Sequence, residues 1–435
     1  MEMVIILPVV TTGILDLFME KGRYHHFMAT KEPLWTRDFI LDTLVNFLIY
    51  IVYYMLVVII ASEAIHSLNA SLSEAGLAAG IFILGTLLAR LTAGRSIELF
   101  GRKKMLYAGL VFYLVTTVLY LFVNSLSVMY VVRFLNGIGY GVTSTATSTI
   151  IAGCIPLSRK GEGINYYALS MSLAAAIGPL IGMAMQQVVS FHYIIGFNVA
   201  VLIICCVSSV ILHVEEVQLT AEHLAEIKKF TIDNFIEPRV YGISLVAFFV
   251  GVCYSGVLGF LATYSQELNL LAAGTLFFAV YAGVVTLARP VAGVLFDRRG
   301  EDFVTYPTFV CLAIGLLILS VTTQSWQLLL AGVFVGLGYG TFMSNGQAIC
   351  VKLTPPHRIG VAVSTYFVAL DLGLGVGPYL LGFAKPSFGF TGIYFSTGIA
   401  ALLCGVLYYL IYVRPRDRKA ALAAAQGEGG SHRLR

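Results

Sequence analysis

ARPVAGVLFDRRG, residues 288–300, repeats the frame of ARLTAGRSIELFG, residues 89–101. Each copy closes a long apolar run. Each sets Ala-Arg, then Ala-Gly, then an acid (Glu98 or Asp297), then a glycine (Gly101 or Gly300) at the same spacing. The offset of 199 residues holds without a gap from Ala89 to Pro179 against Ala288 to Pro378. Along it Gly137, Gly139, Tyr140 and Gly141 fall on Gly336, Gly338, Tyr339 and Gly340. Pro156, Arg159 and Gly161 fall on Pro355, Arg358 and Gly360, Tyr167 falls on Tyr366, and Gly178-Pro179 falls on Gly377-Pro378. The chain is therefore an internal duplication.

What is duplicated follows from composition. Of 435 residues 58% are hydrophobic and 11% charged, with a mean hydropathy of +0.86. A water-soluble domain carries about 25% charged residues. Apolar runs long enough to cross a bilayer, roughly 20 residues each, occur near 39–61, 75–95, 105–123, 128–153, 163–186, 192–212, 240–264, 273–296, 304–321, 327–351, 361–384 and 391–413. No alternation of the β-barrel kind is present. The expected fold is an all-α integral membrane protein of twelve transmembrane helices. A shift of six spans, an even number, keeps the copies in one orientation, so the halves are parallel repeats with a substrate path between them near the midplane.

Basic residues orient the chain, because Lys- and Arg-rich loops stay in the cytoplasm. With both termini cytoplasmic, the six outer loops hold one basic residue, Lys385, three more (Arg90, Arg133, Arg289) lie inside spans, and the other 23 of 27 are cytoplasmic. The net charge of +4 reports this topology and gives no support to nucleic-acid binding. Cys154, Cys205, Cys206, Cys253, Cys311, Cys350 and Cys404 lie in or at the ends of apolar runs without metal or disulfide spacing, and read as packing residues.

The expected organisation is an N-terminal extension (1–36), a six-helix bundle (37–212), a cytoplasmic linker (213–238), a second bundle (239–413) and a polar tail (414–435) expected to be disordered. Residues 3–15 are too short to span and are preceded by Glu2 where a signal peptide would carry positive charge. They read as an interfacial helix or as sequence upstream of a true start at Met28.

On these features the chain resembles the major facilitator superfamily of transporters, from about residue 36 to 413. The loop GRSIELFGRKK (94–104) matches the family pattern after the second span, with Glu98 in place of the usual Asp and Leu99 in place of a basic residue. The copy GVLFDRRG keeps Asp297 and Arg298 and then departs at Glu301 and Asp302. The resemblance implies that Gly94, Glu98, Gly101, Arg102, Gly293, Asp297, Arg298 and Gly300 form gates that hold one face closed. Independently, glycines allow such turns to approach helix ends, and an acid there can pair with loop arginines or sit against a helix N-terminus. The simpler reading is an ordinary cytoplasmic turn. AAAIGPLIG (174–182) resembles the span-5 motif of proton-coupled drug exporters, retaining Gly178, Pro179 and Gly182. Small residues at this spacing also serve pure packing, and Pro179 removes a backbone donor.

Charged residues within spans are expensive and mark function by default. Asp371, in TYFVALDLGLGVGP, is the only acid near the centre of a span. A carboxylate there can take up and release a proton as its surroundings alternate between the two sides. A hydrogen-bonded structural acid and a partner for a cationic substrate are the alternatives. Arg133, in RFLNGIGYG, matches the family's span-4 arginine and lies in the outer half of its span, as a coupling residue or as an interfacial anchor. Its repeat counterpart is Gly332, so the charge belongs to one half. Cavity candidates are Asn46, Tyr50, Tyr54, Asn165, Tyr167, Tyr254, Asn345 and Gln347. As a set they suit an amphiphilic substrate. Asp42, four residues before Asn46 and so on its face, reads as solvated at the cytoplasmic end, and Glu63, His66 and Glu74 as solvated at the outer mouth.

No phosphate-binding loop and no nucleophile-base arrangement is present, so neither ATP-driven transport by this chain nor an enzyme is expected, and no cofactor or metal is implied. The reading is a cell-membrane, monomeric secondary transporter closest to the drug:proton antiporters, with a small-molecule substrate, protons and the lipid bilayer as its partners. A sugar or metabolite permease of the same fold and a transporter-like receptor are the alternatives.

Overall fold

In hydrocarbon every backbone N–H and C=O must find its partner inside the segment, and this chain answers with helices. The computed structural model describes residues 32–70, 72–223 and 231–418. The apolar stretch 3–15, Met28 and most of the polar tail lie outside them. Six helices come first: α1 (Arg37–Leu68), α2 (Leu72–Phe100), α3 (Arg102–Val118, ending in a 3-10 turn to Phe122), α4 (Leu126–Cys154), α5 (Lys160–Val188) and α6 (Phe191–Ile211). An extended segment leads to six more: α7 (Tyr241–Glu267), α8 (Leu271–Arg299), α9 (Glu301–Ser320) and α10, which runs Ser325–Val335, a π turn Gly336–Gly340, then Thr341–Leu353. The helix from Ile359 to Tyr408 breaks at Gly389, whose φ of 61° and ψ of −174° are not helical. We number residues 359–388 α11 and 390–408 α12. The twelve helices match the twelve apolar runs, and several extend past them: α1 continues through Glu63 and His66, and α2 begins before Glu74.

Eleven spans are apolar enough to be recognised by length and composition alone. The twelfth is α4, whose second half reads TSTATSTIIAGC. Its hydroxyls are not left to lipid. Thr143 bonds the Gly139 carbonyl (2.8 Å), Thr145 that of Gly141 (2.8 Å) and Thr149 that of Thr145 (2.8 Å). Each satisfies itself one turn back, as Ser and Thr do in buried helices, and all three side chains are buried. In its N-terminal half α4 also makes close backbone contacts with its neighbours. A Cβ on Gly137 would run into the Phe82 carbonyl of α2, one on Gly85 into the Phe134 carbonyl of α4, and one on Gly139 would sit 2.7 Å from the Tyr113 Cα of α3.

The bundle ends that carry the linker and both acid-containing turns form one face, here the linker face. Its two halves are clamped with opposite polarity. In the first half, Glu216, beyond α6, accepts the amides of Arg102 (2.7 Å) and Lys103 (2.9 Å) at the start of α3. The repeat counterparts of Arg102 and Lys103 are Glu301 and Asp302, and here the acids sit on the helix start. Arg416, beyond α12, reaches Glu301 at 2.8 Å and Asp302 at 2.6 Å. Lys352 (2.5 Å) and the Tyr412 hydroxyl (3.2 Å) also bind Glu301, and the Tyr408 hydroxyl binds Asp302 (2.7 Å).

Because the α2–α4 contact is backbone against backbone, Gly137→Val should lower stability by about 1–3 kcal/mol, the usual cost of overpacking. Thermal unfolding of the purified variant in detergent measures this, and a melting temperature equal to wild type would show that the contact is looser than described.

Candidate functional site: the interface between the halves

Two crossings bring the halves together, and the duplication makes them equivalent. α2 crosses α11 where a Cβ on Gly94 would lie 2.6 Å from the Ser364 Cβ and 3.0 Å from the Gly360 carbonyl. α8 crosses α5 where a Cβ on Gly293 would lie 2.7 Å from the Glu162 Cα and 2.8 Å from the Gly161 carbonyl. Gly94 and Gly293 are repeat partners, as are Gly161 and Gly360. Only glycine lets helices approach this closely.

Beside each crossing lies one of the two repeated acids. Asp297 accepts the Gly161 amide (2.7 Å) on one carboxylate oxygen and the Glu162 amide (2.8 Å) on the other, capping the N-terminus of α5 from the opposite half. A carboxylate on otherwise unpaired first-turn amides is favoured by charge and by the helix dipole. Glu98 works differently. It holds Arg102 at 2.9 Å, and Arg102 in turn donates to the Pro356 carbonyl (2.7 Å) just before α11. One half latches with a carboxylate, the other with a guanidinium. Gly101 and Gly300 turn the chain between helices at φ 96° and 88°, conformations that side chains resist. Arg298 lies half-buried in the last turn of α8.

Higher up, Asn165 of α5 donates to Asn345 of α10 (3.1 Å) and accepts from Ser344 (2.7 Å). Among the described residues the Asn345 Nδ2 and the Gln347 Nε2 are buried without a hydrogen-bond partner. Above these, Arg90 of α2 forms an ion pair with Asp371 of α11 (Nε to Oδ2, 3.3 Å) and stacks over the Phe367 ring at 4.9 Å. At 1.5 Å per residue, Arg90 lies about 15 Å from the linker end of its helix and Asp371 about 18 Å from that of its own. The Arg90 side chain is 4% exposed and that of Asp371 is 25% exposed. The repeat partner of Arg90 is Arg289 of α8, and it behaves otherwise. The counterpart of Asp371 is Ser172, and Arg289 donates instead to the Ala168 carbonyl of α5 and, at 3.2 Å, to the Gly340 carbonyl in the π turn. A π turn displaces carbonyls from the regular ladder, and Arg289 takes one up.

Aromatic rings flank these charges. Tyr53 stacks on Tyr140 (centroids 4.8 Å) and on Phe82 (5.2 Å), with Tyr50 and Tyr54 against the same cluster. In the other half Tyr254 stacks on Tyr339 at 3.8 Å and on Tyr281 at 5.9 Å. Phe82 and Tyr140 are the repeat counterparts of Tyr281 and Tyr339, so each half presents the same pair and adds a tyrosine from its first helix.

The structure sorts the expected residues. Tyr50, Tyr54 and Tyr254 join the aromatic walls, and Asn165 and Asn345 bridge the halves. Asn46 and Tyr167 serve one half internally: the Asn46 Oδ1 accepts from the Tyr167 hydroxyl (2.8 Å) and from Thr147 (3.1 Å), and its amide donates to Ser170 (2.8 Å). Gly178 and Gly182 of the span-5 motif face α1, against Tyr54, Met55 and Ile59, in an α5 that stays helical through Pro179. One expectation fails: Asp42 is fully buried, not solvated, and among the described residues neither of its oxygens is hydrogen-bonded. Of the two readings of Arg133 the interfacial anchor is excluded, because the side chain is fully buried. It donates to the Ala78 carbonyl (3.0 Å) and stacks 4.6 Å from the centre of Phe82. The partner of Asp371 was missed, although Arg90 and Arg289 share one repeat position and both fall inside spans, which is the signal that could have found it.

Twelve apolar helices in two repeated halves, meeting at small-residue crossings around a charged pair and aromatic walls, define a helical membrane transporter. The sequence profile of the Major Facilitator Superfamily matches residues 43–323 and 303–432, and the chain belongs to that superfamily. Among its relatives an uncharacterized MFS-type transporter of Methanocaldococcus jannaschii is 22% identical over 352 residues, 79% of this chain and 90% of that protein. Multidrug resistance protein MdtG of Dickeya zeae is 27% identical over 193 residues, 42% of this chain. The match spans 47% of MdtG, about half its length. The fold superimposes on the human organic anion transporter MFSD10 with a TM-score of 0.73 at 13% identity, covering 87% of this chain and 100% of that one. It superimposes on FucP in its outward conformation with a TM-score of 0.68 at 14% identity, covering 87% and 99%.

If Asp297 caps α5 as described, Asp297→Ala should speed hydrogen exchange of the Gly161 and Glu162 amides by about tenfold, the effect of losing one charge-assisted bond or more. Glu98→Gln should loosen the segment around Pro356 through Arg102. Exchange unchanged in both variants would show that neither acid holds the linker face.

Proposed function

We propose that this chain is a proton-driven exporter of small amphiphilic molecules that works by alternating access, with Asp371 as the proton carrier. The observation that carries the proposal is the Arg90–Asp371 pair, an ion pair that spans the two halves at mid-depth while Asp371 keeps a quarter of its side chain exposed. The cross-half contacts described above run from the linker face, which the positive-inside rule places in the cytoplasm, up to this pair. That is the arrangement of a carrier closed to the cytoplasm. A buried ion pair loses its attraction when one partner is neutralised, leaving a guanidinium that must find other company. Protonation of Asp371 from outside, as substrate leaves, therefore weakens the uppermost tie between α2 and α11 and favours opening of the linker face. Release of that proton to the cytoplasm, as substrate loads, re-forms the tie and closes it again.

Aromatic walls with few charges suit an amphiphile, because tyrosine offers a flat apolar face and a polar rim. The likeness to multidrug resistance proteins supports export. Glu98, Arg102 and Asp297 switch the linker face and make no contact with substrate. Arg133, held by Ala78 and Phe82, steadies the outer half of α4 beside Tyr53.

The test is flux in liposomes under an imposed pH gradient, with Asp371→Asn and Arg90→Lys beside wild type. Asp371→Asn should retain substrate binding and lose gradient-driven flux to the level of protein-free liposomes, whereas Arg90→Lys should retain part of it. An Asp371→Asn variant that still concentrates substrate like wild type would remove Asp371 from the coupling step, and flux indifferent to pH in the wild type would make the chain a facilitator.

A further inference from the structure

On the linker face, between the start of α3 and the end of α6, lies a shallow, open groove lined by Lys103, Lys104, Tyr107, Ala108 and Val210. The two basic residues do different things. Lys103 donates its amine to the Val210 (3.0 Å) and Leu212 (2.8 Å) carbonyls and so ties the end of α6 to the start of α3. Lys104 is exposed, and among the described residues neither its amine nor the Tyr107 hydroxyl has a hydrogen bond or ion pair. The amides at the start of α3 are already taken by Glu216, so the positive charge on offer is that of the side chains. One turn further along α3 stands Tyr107, 47% exposed, and beyond it both walls turn apolar, with Val111, Val115, Val207 and Ile211 exposed. A basic rim, then an aromatic ring, then apolar walls is the order met on passing from headgroups to acyl chains.

We propose that this groove binds an anionic glycerophospholipid, its phosphate between Lys104 and the Tyr107 hydroxyl and its acyl chains along the α3 and α6 walls. Charge complementarity selects an anionic headgroup over a zwitterionic one, as basic pockets between transmembrane helices do. The duplication supplies an internal control. In the second half the counterparts of Lys103, Lys104, Tyr107 and Val210 are Asp302, Phe303, Tyr306 and Tyr409, and Asp302 is covered by Arg416. That groove has lost its basic rim, so the proposal assigns one site per chain rather than a general affinity for anionic membrane.

The experiment is native mass spectrometry of the full chain released from vesicles of phosphatidylcholine containing a minor share of phosphatidylglycerol. Wild type should retain one phosphatidylglycerol in preference to phosphatidylcholine. Lys104→Glu should lower that retention about fivefold or more, given roughly 1 kcal/mol for each basic residue at an anionic surface, and Lys104→Arg should restore it. Arg418→Glu, which reverses an exposed cation beyond α12, should leave it unchanged. An equal loss in Arg418→Glu would reduce the effect to general surface charge and overturn the site. Displacement of the lipid by inorganic phosphate alone would assign the groove to free phosphate instead. Retention unaffected by Lys104→Glu would also sink the proposal, and co-elution of the variant with wild type excludes misfolding as the cause.

Discussion

The pair of Arg90 and Asp371 is the interaction on which the rest of the interface depends. A lone guanidinium or carboxylate at mid-depth would cost several kcal/mol, so each requires the other, and the two sit on different halves. Their attraction is the uppermost of the ties described between the halves. Below it the halves are matched by shape and by helix ends: glycine against glycine at two crossings, a carboxylate on the α5 amides, a guanidinium on the Pro356 carbonyl. Those lower contacts are geometric and tolerate little variation. The pair above them is electrostatic, and a single proton is enough to cancel it.

The duplication lets each of these devices be read against its own copy. At the two glycine crossings the copies agree, Gly94 packing on α11 as Gly293 packs on α5, and so do the aromatic pairs Phe82–Tyr140 and Tyr281–Tyr339. Where a position must carry charge at mid-depth, they diverge. Arg90 has an acid opposite, whereas Arg289 has a backbone carbonyl of α5 and another released by the π turn in α10. One guanidinium is thereby tied to a group that can titrate and the other to groups that cannot.

The fold and the repeated acids were legible in the chain because they rest on patterns that survive projection onto sequence. Apolar length defines helices, and a constant offset defines repeats. Even α4, whose second half is rich in hydroxyls, reads as an apolar run over 128–153. What could not be read was which side chain meets which across the halves. Asp371 stood out as an acid in an apolar run, yet its partner lies 281 positions away along the chain, and the crossing angle that unites them is set by Gly94 and Gly360. The burial of Asp42 was hidden for a related reason: distance from a span's end does not measure wetness, because burial is decided by the neighbouring helices.

The clamps at the bundle ends have a consequence for assembly. In the first half a carboxylate beyond α6 receives the start of α3, and in the second a guanidinium beyond α12 receives the acids that start α9. Copies of one ancestral bundle are similar enough to mistake each other's segments while the chain is still being inserted. Opposite polarity makes each clamp a key for its own half, because Glu216 brought to Glu301, or Arg416 to Arg102, would meet like charge. The inverted charges after the second acid-containing turn, which look like decay of a motif when read along the sequence, thus belong to a clamp of their own.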